Sequence, residues 1–160
     1  MAVFRLRAPR KVPLGCPDVA TSRRPSDVQV ERLDEMRRGR ARVAAAYERA
    51  LGGRDWVRLP RTGEGEEVDW FVYVVRLHSE IDRGAVIGRL AASGVPSRPY
   101  FAPLHLQPFY RETFGFKPGD FPVTERAAAS TLAPPFSSRL ADEDVQYVAD
   151  ALSEAVAAPR

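Results

Sequence analysis

A small α/β sandwich preceded by a long helix is the fold this sequence predicts, with strands free to run in either direction. Two amphipathic segments, one starting at Val28 and one closing the chain, repeat their apolar residues three and four positions apart, which is the spacing of a single helix face. Between them Trp70 to Val75 is an unbroken apolar run of aromatic and β-branched residues, the composition of a strand covered on both faces. The third observation is the stretch from Ser97 to Tyr110, where Pro99, Pro103 and Pro108 alternate with aromatics. Each proline removes a backbone donor and disfavours helix at the residue before it, so this stretch is extended and irregular.

Over residues 1–29 six arginines or lysines stand against two acids, with four prolines scattered among them. Residues 1–27 are therefore expected to be a disordered basic arm. From Val28 the apolar positions Leu33, Met36, Val43, Tyr47 and Leu51 mark one long helix that Gly52 and Gly53 stop. Trp56 to Leu59 is a short strand before Pro60, and residues 61–67 are a polar loop. Asp69 to Leu77 is then the central strand. Asp82 can cap the next helix, whose apolar face is Val86, Ile87, Leu90 and Ala91 and whose stop is Gly94. Val95 to Phe101 returns as a second strand. Pro108 to Phe114 reads as a short helix ending at Gly115, and Pro122 fits the first position of a helix that runs to Ser130. Leu132 to Phe136 is a brief extended segment. The closing helix, Asp142 to Ala157, has Val145, Val148, Ala149, Leu152 and Val156 on one face and three acids on the positive end of its dipole.

A chain of 160 residues with 44% hydrophobic composition can bury one core. Its longest apolar run is too short to span a bilayer and no uncharged stretch near the start makes a secretory core, so a cytoplasmic protein with no membrane partner is expected. The arm carries Phe4 as its one aromatic; phosphate contacts without stacking residues give weak, salt-sensitive binding, and no specific nucleic acid is expected as a partner. Cys16 is the sole cysteine, so no internal disulfide forms. His78 and His105 have no cysteine near them, and no metal site is predicted. Within the proline-aromatic stretch Arg98, His105 and Gln107 are the strong polar side chains. A rigid apolar wall with a few convergent donors is what a ligand pocket needs. The same composition also suits a crossing packed on its own domain.

The ordered words RPYFAPLHLQPFY, FGFKPGDFPVTE and LAPPF followed by LADEDVQYVADAL resemble the C-terminal end of the DegT/DnrJ/EryC1/StrS family of pyridoxal-phosphate-dependent sugar-nucleotide aminotransferases. The resemblance runs from about Val30 to Ala157. It implies that residues 28–160 form the small C-terminal domain of a fold-type I aminotransferase, with the large cofactor-binding domain absent. It implies an activity as well: amino transfer to a keto sugar nucleotide, in amino-sugar, cell-surface polysaccharide or antibiotic biosynthesis. Pyridoxal phosphate would be the cofactor and a nucleotide sugar the ligand, with a separate large-domain chain or a second copy of this chain as partner. Arg98, Tyr100 and His105 match positions near the substrate face of that family's site and are the candidate substrate-binding residues. Their alternative is structural, with Arg98 paired to a local acid and Tyr100 in the core. No catalytic residue is assigned. The chemistry needs a lysine for the internal aldimine, and the chain has only Lys11, in the arm, and Lys117, in a turn rich in glycine and proline, where nothing activates an amine. The expectation is a fragment that is inactive by itself and does not hold the cofactor alone; the alternative is a non-enzymatic binding module derived from the same domain. Two departures stand out: Ala141 occupies a position where the family often has a capping threonine, and Phe136 to Arg139 does not follow the family's pattern.

Overall fold

The computed structural model describes residues 29–158. The chain divides into two compact units, Met1–Arg32 and Leu33–Arg160, and the architecture below is that of the second. The expected basic arm, with Lys11 and Cys16, lies outside the described residues.

The first helix, α1 (Leu33–Leu51), starts later than its sequence period suggests, because Arg32 is a turn after one helical turn at residues 29–31. Its buried positions are Val43, Ala44, Ala46, Tyr47 and Leu51, the stripe a 3.6-residue period lays along one side. Apolar anchoring thus acts on its second half. The first half is tied at the surface, where Arg37 Nε donates to the Asp69 carboxylate at 2.6 Å. A chain of ion pairs then fixes α1 to the last helix: Arg42 and Arg49 both reach the carboxylate of Asp142, and Arg42 also donates to the Leu140 carbonyl at 2.6 Å. Gly39 allows the two segments to come this close. A Cβ there would lie 2.6 Å from the backbone oxygen of Ser138, so the approach offsets the roughly 1 kcal/mol that a mid-helix glycine costs.

Four short strands follow: β1 (Val57–Arg58), β2 (Val75–Leu77), β3 (Arg98–Pro99) and β4 (Thr131–Ala133). They form one sheet in the order β1-β2-β4-β3, and every neighbouring pair is antiparallel. The strand expected over residues 69–77 is shorter and one-sided. Val75 and Leu77 are buried and Arg76 between them is exposed, while Phe71 at the start of the run is 81% exposed. The reason lies in the partners, since β1 offers two residues and β4 three, and a ladder is no longer than what pairs with it. The expected second strand contracts likewise to Arg98–Pro99. The segment around Leu132 is more than a brief extended piece, because β4 is an inner strand between β2 and β3.

Directly opposed residues of antiparallel strands share a face. The register therefore places Val57, Leu77, Val75 and Leu132 together, and these join the buried faces of α1, α2 (Arg83–Ala92) and α5 (Asp142–Ala157) in one core. The helix α2 is capped as expected: the Asp82 carboxylate accepts from Ala85 N–H at 3.1 Å, and Gly94 has φ +73 past its end. In α5 the buried residues are Val145, Val148, Ala149, Ala151, Leu152 and Ala155. Its cap is half made. Ala141 has no side-chain acceptor, and only the reciprocal bond exists, from Ala141 N–H to the Asp144 carboxylate at 3.3 Å. At the other end of the core Tyr47 stacks on Tyr73 with ring centres 5.0 Å apart and donates its hydroxyl to the Pro135 carbonyl at 2.6 Å. Burial raises the acid range of both phenols, that of Tyr73 to about 12.

Candidate functional site

The proline-aromatic stretch crosses the opposite side of the sheet. After β3, residues 100–103 run extended to a short 3-10 helix (Leu104–Leu106), and α3 (Pro108–Phe114) follows with Gly115 in the left-handed region at φ +74. The Tyr100–Phe101 peptide bond is cis. The chain then turns through residues 116–121 into α4 (Pro122–Ser130), whose first position is proline as the sequence indicated. Between the crossing and α4 lies a cavity of about 420 Å³, walled by Tyr100 to His105 on one side and by Phe121, Thr124, Ala127, Ala128 and Thr131 on the other. The wall is mostly apolar. Tyr100, His105, Thr124 and Thr131 supply its polar side chains. The Thr131 hydroxyl is already committed, donating to the Tyr100 carbonyl and so fixing the crossing to β4.

His105 is the most constrained of these groups. It is 7% exposed, its ring centre lies 4.8 Å from that of Phe121, and Phe116 meets it edge-on at 6.4 Å. Its Nε2 is 3.0 Å from Oε1 of Glu125, on the first turns of α4. The same carboxylate accepts from the Gly119 N–H at 2.9 and 3.0 Å and from the Phe121 N–H at 3.4 Å. These bonds favour the charged carboxylate: the Gly119 amide first, and then the His105 ring, hold the Glu125 carboxyl below its ordinary range.

Of the three residues read from the sequence, Tyr100 and His105 are brought together on the cavity wall and Arg98 is not. Arg98 is exposed on edge strand β3, opposite Ala133. It has no ion pair among the described residues, so the local acid partner of the structural alternative is not there. On that face of the sheet it accompanies Arg76, whose Nε donates to Ser130 Oγ at 3.1 Å, and Arg58, directly opposite Arg76. Tyr100 is half-buried and stacks on Phe101 with centres 4.2 Å apart. Glu125 and the α4 wall were missed by sequence reasoning; the one signal was that Glu125 closes the FGFKPGDFPVTE word. His78, at the end of β2, is exposed. Among the described residues no group of three histidines, cysteines or acids is placed to hold a metal ion, and no helix is long and apolar enough to cross a membrane.

Comparison with known proteins agrees with this architecture. Among curated relatives, GDP-perosamine synthase of Caulobacter vibrioides is 34% identical over 132 residues, which is 79% of this chain and 34% of that protein. The spore coat polysaccharide biosynthesis protein SpsC of Bacillus subtilis is 27% identical over 80% of this chain and 34% of its own length. The chain thus spans about a third of the length of the curated relatives it matches. Among solved structures, the aminotransferase TlmJ from Streptoalloteichus hindustanus superposes with a TM-score of 0.72 at 33% identity, over 82% of this chain and 34% of that one. DesV of S. venezuelae, solved in complex with a ketimine intermediate, gives 0.75 at 25% identity over 84% and 35%. The sequence profile of the DegT/DnrJ/EryC1/StrS aminotransferase family matches residues 26–153, and the chain belongs to that family.

Proposed function

We propose that residues 28–160 are the small C-terminal domain of a sugar-nucleotide aminotransferase and that they contribute one wall of its substrate site. The observation that carries this reading is the family match along residues 26–153, combined with a cavity on whose wall Tyr100 and His105 stand. In this proposal His105 and Tyr100 contact the nucleotide sugar from within the cavity. Arg98, on the neighbouring strand and without an ion pair among the described residues, offers a cation to its phosphates. The chain works in the cytoplasm and against a large cofactor-binding domain, supplied by a separate chain or arranged around a second copy of this one.

The family's cofactor is pyridoxal phosphate, whose chemistry is to labilise bonds at an amine-bearing carbon once a lysine holds it. The residues at hand do not fit that role. Among the described residues Lys117 is the sole lysine, and it is exposed in a turn whose own N–H donates to the Asp120 carboxylate at 2.9 Å. No lysine or arginine lines the cavity, so no amine stands where a cofactor aldehyde could meet it. No reaction step is therefore assigned to this chain, and the lysine-bearing half of the apparatus lies outside residues 28–160.

The test is direct. Mixed with pyridoxal phosphate, the purified chain should show no visible absorbance band that survives dialysis, and borohydride should leave no lysine stoichiometrically modified. A single modified lysine, abolished by its change to alanine and accompanied by amino transfer to a nucleotide sugar, would overturn the reading.

A further inference from the structure

The geometry points to Glu125 as a positioning residue that sets the chemical face His105 turns to a ligand. This rests on the reading above that His105 meets substrate. An ionised carboxylate has no proton to give, so at 3.0 Å the shared hydrogen sits on His105 Nε2. In the neutral imidazole the other nitrogen, Nδ1, is then an acceptor. Nδ1 has no hydrogen-bond partner among the described residues, and it is not among the buried polar atoms left unsatisfied there, so it remains open to a ligand.

The arrangement resembles the carboxylate that fixes ring orientation and tautomer behind a functional histidine. Glu125 is itself held by the Gly119 and Phe121 amides, and Phe121 and Phe116 bracket the ring. The 116–121 turn and the first turns of α4 therefore converge on His105 and leave it one free function, that of accepting a hydrogen bond. A hydroxyl donates such a bond and a phosphate oxygen does not. His105 accordingly recognises the hydroxyl-bearing sugar part of a nucleotide sugar, while Arg98 lies outside the cavity.

Nuclear magnetic resonance of the ¹⁵N-labelled chain tests this above the imidazole titration range. The His105 ring proton should reside on Nε2 and exchange slowly with water. Glu125→Ala should lose the slow exchange, whereas Glu125→Gln, whose amide oxygen still accepts from Nε2–H and from Gly119, should restore most of it. A ring proton on Nδ1, or one on Nε2 that stays equally protected in folded Glu125→Ala, overturns the proposal. A residue that merely ties down the 119–121 turn would leave the ring proton as it was. Titration with UDP-glucose separates the two levels of inference. A shift at His105 Nδ1 supports both, and an unmoved Nδ1 with the Nε2 proton in place counts against a substrate contact while leaving the Glu125 assignment standing.

Discussion

The two sides of the sheet are built on different terms. On the helix side Val75 and Leu132 are 0% exposed and Leu152 is 1%, whereas across the sheet Phe101, Leu104 and Phe109 keep 64% or more of their surface in contact with water. Apolar area removed from water contributes about 25 cal/mol per Å², so the folding free energy is concentrated on the first side. The second side carries aromatic surface well beyond what holds the chain together. Its rings do touch one another, Phe109 meeting Phe114 edge-on at 6.4 Å and Tyr110 stacking on Phe114 at 6.0 Å, and the result is a contiguous exposed surface of a kind that marks contact sites. Stability and recognition are thus separable in this molecule.

Breaking the helix side should produce the largest change. Leu152→Ala opens a cavity where α5 meets the core and is expected to cost about 2–5 kcal/mol in urea unfolding; a loss under about 1 kcal/mol would mean the two sides do not differ as described. Sharpening the same side is possible at its one weak cap. Ala141→Ser supplies the missing acceptor at the N-terminus of α5 and should stabilise the fold by about 1 kcal/mol, read as a rise in unfolding midpoint. The smallest stability effect belongs to the aromatic side, where Phe109→Ala should change the unfolding free energy by no more than about 0.5 kcal/mol. That substitution should nevertheless reduce self-association of the chain, measured by light scattering across a concentration series. A marked drop in stability with unchanged association would invert the comparison.

The helices on both sides of the sheet were legible. A period of 3.6 residues places α5 at Asp142–Ala157, and proline and glycine punctuation places α3 at Pro108–Phe114 and α4 from Pro122, because those signals act within a few residues of where they stand. The strands were harder. The length of β2 depends on how many residues β1 and β4 present to it, and β4 is cut short by Pro134 and Pro135, which cannot donate to a ladder. Neither fact is local to the apolar run that suggested a long central strand. The site divides in the same way. Tyr100 and His105 stand out within one short stretch, but Glu125 is twenty positions from His105, and only the fold of the 116–121 turn brings the two together. Arg98 shows the opposite failure: it is adjacent in sequence, yet it stands exposed on edge strand β3 opposite Ala133 and does not line the cavity.

One junction gives the cavity a hold on the rest of the molecule. Ser130 ends α4 and Thr131 begins β4 with no residue between them, and Ser130 Oγ bonds back to the Arg126 carbonyl at 2.9 Å. The helix that walls the cavity is therefore a direct continuation of an inner strand, with no slack to absorb a displacement. Any displacement of that wall would therefore act directly on an inner strand of the sheet.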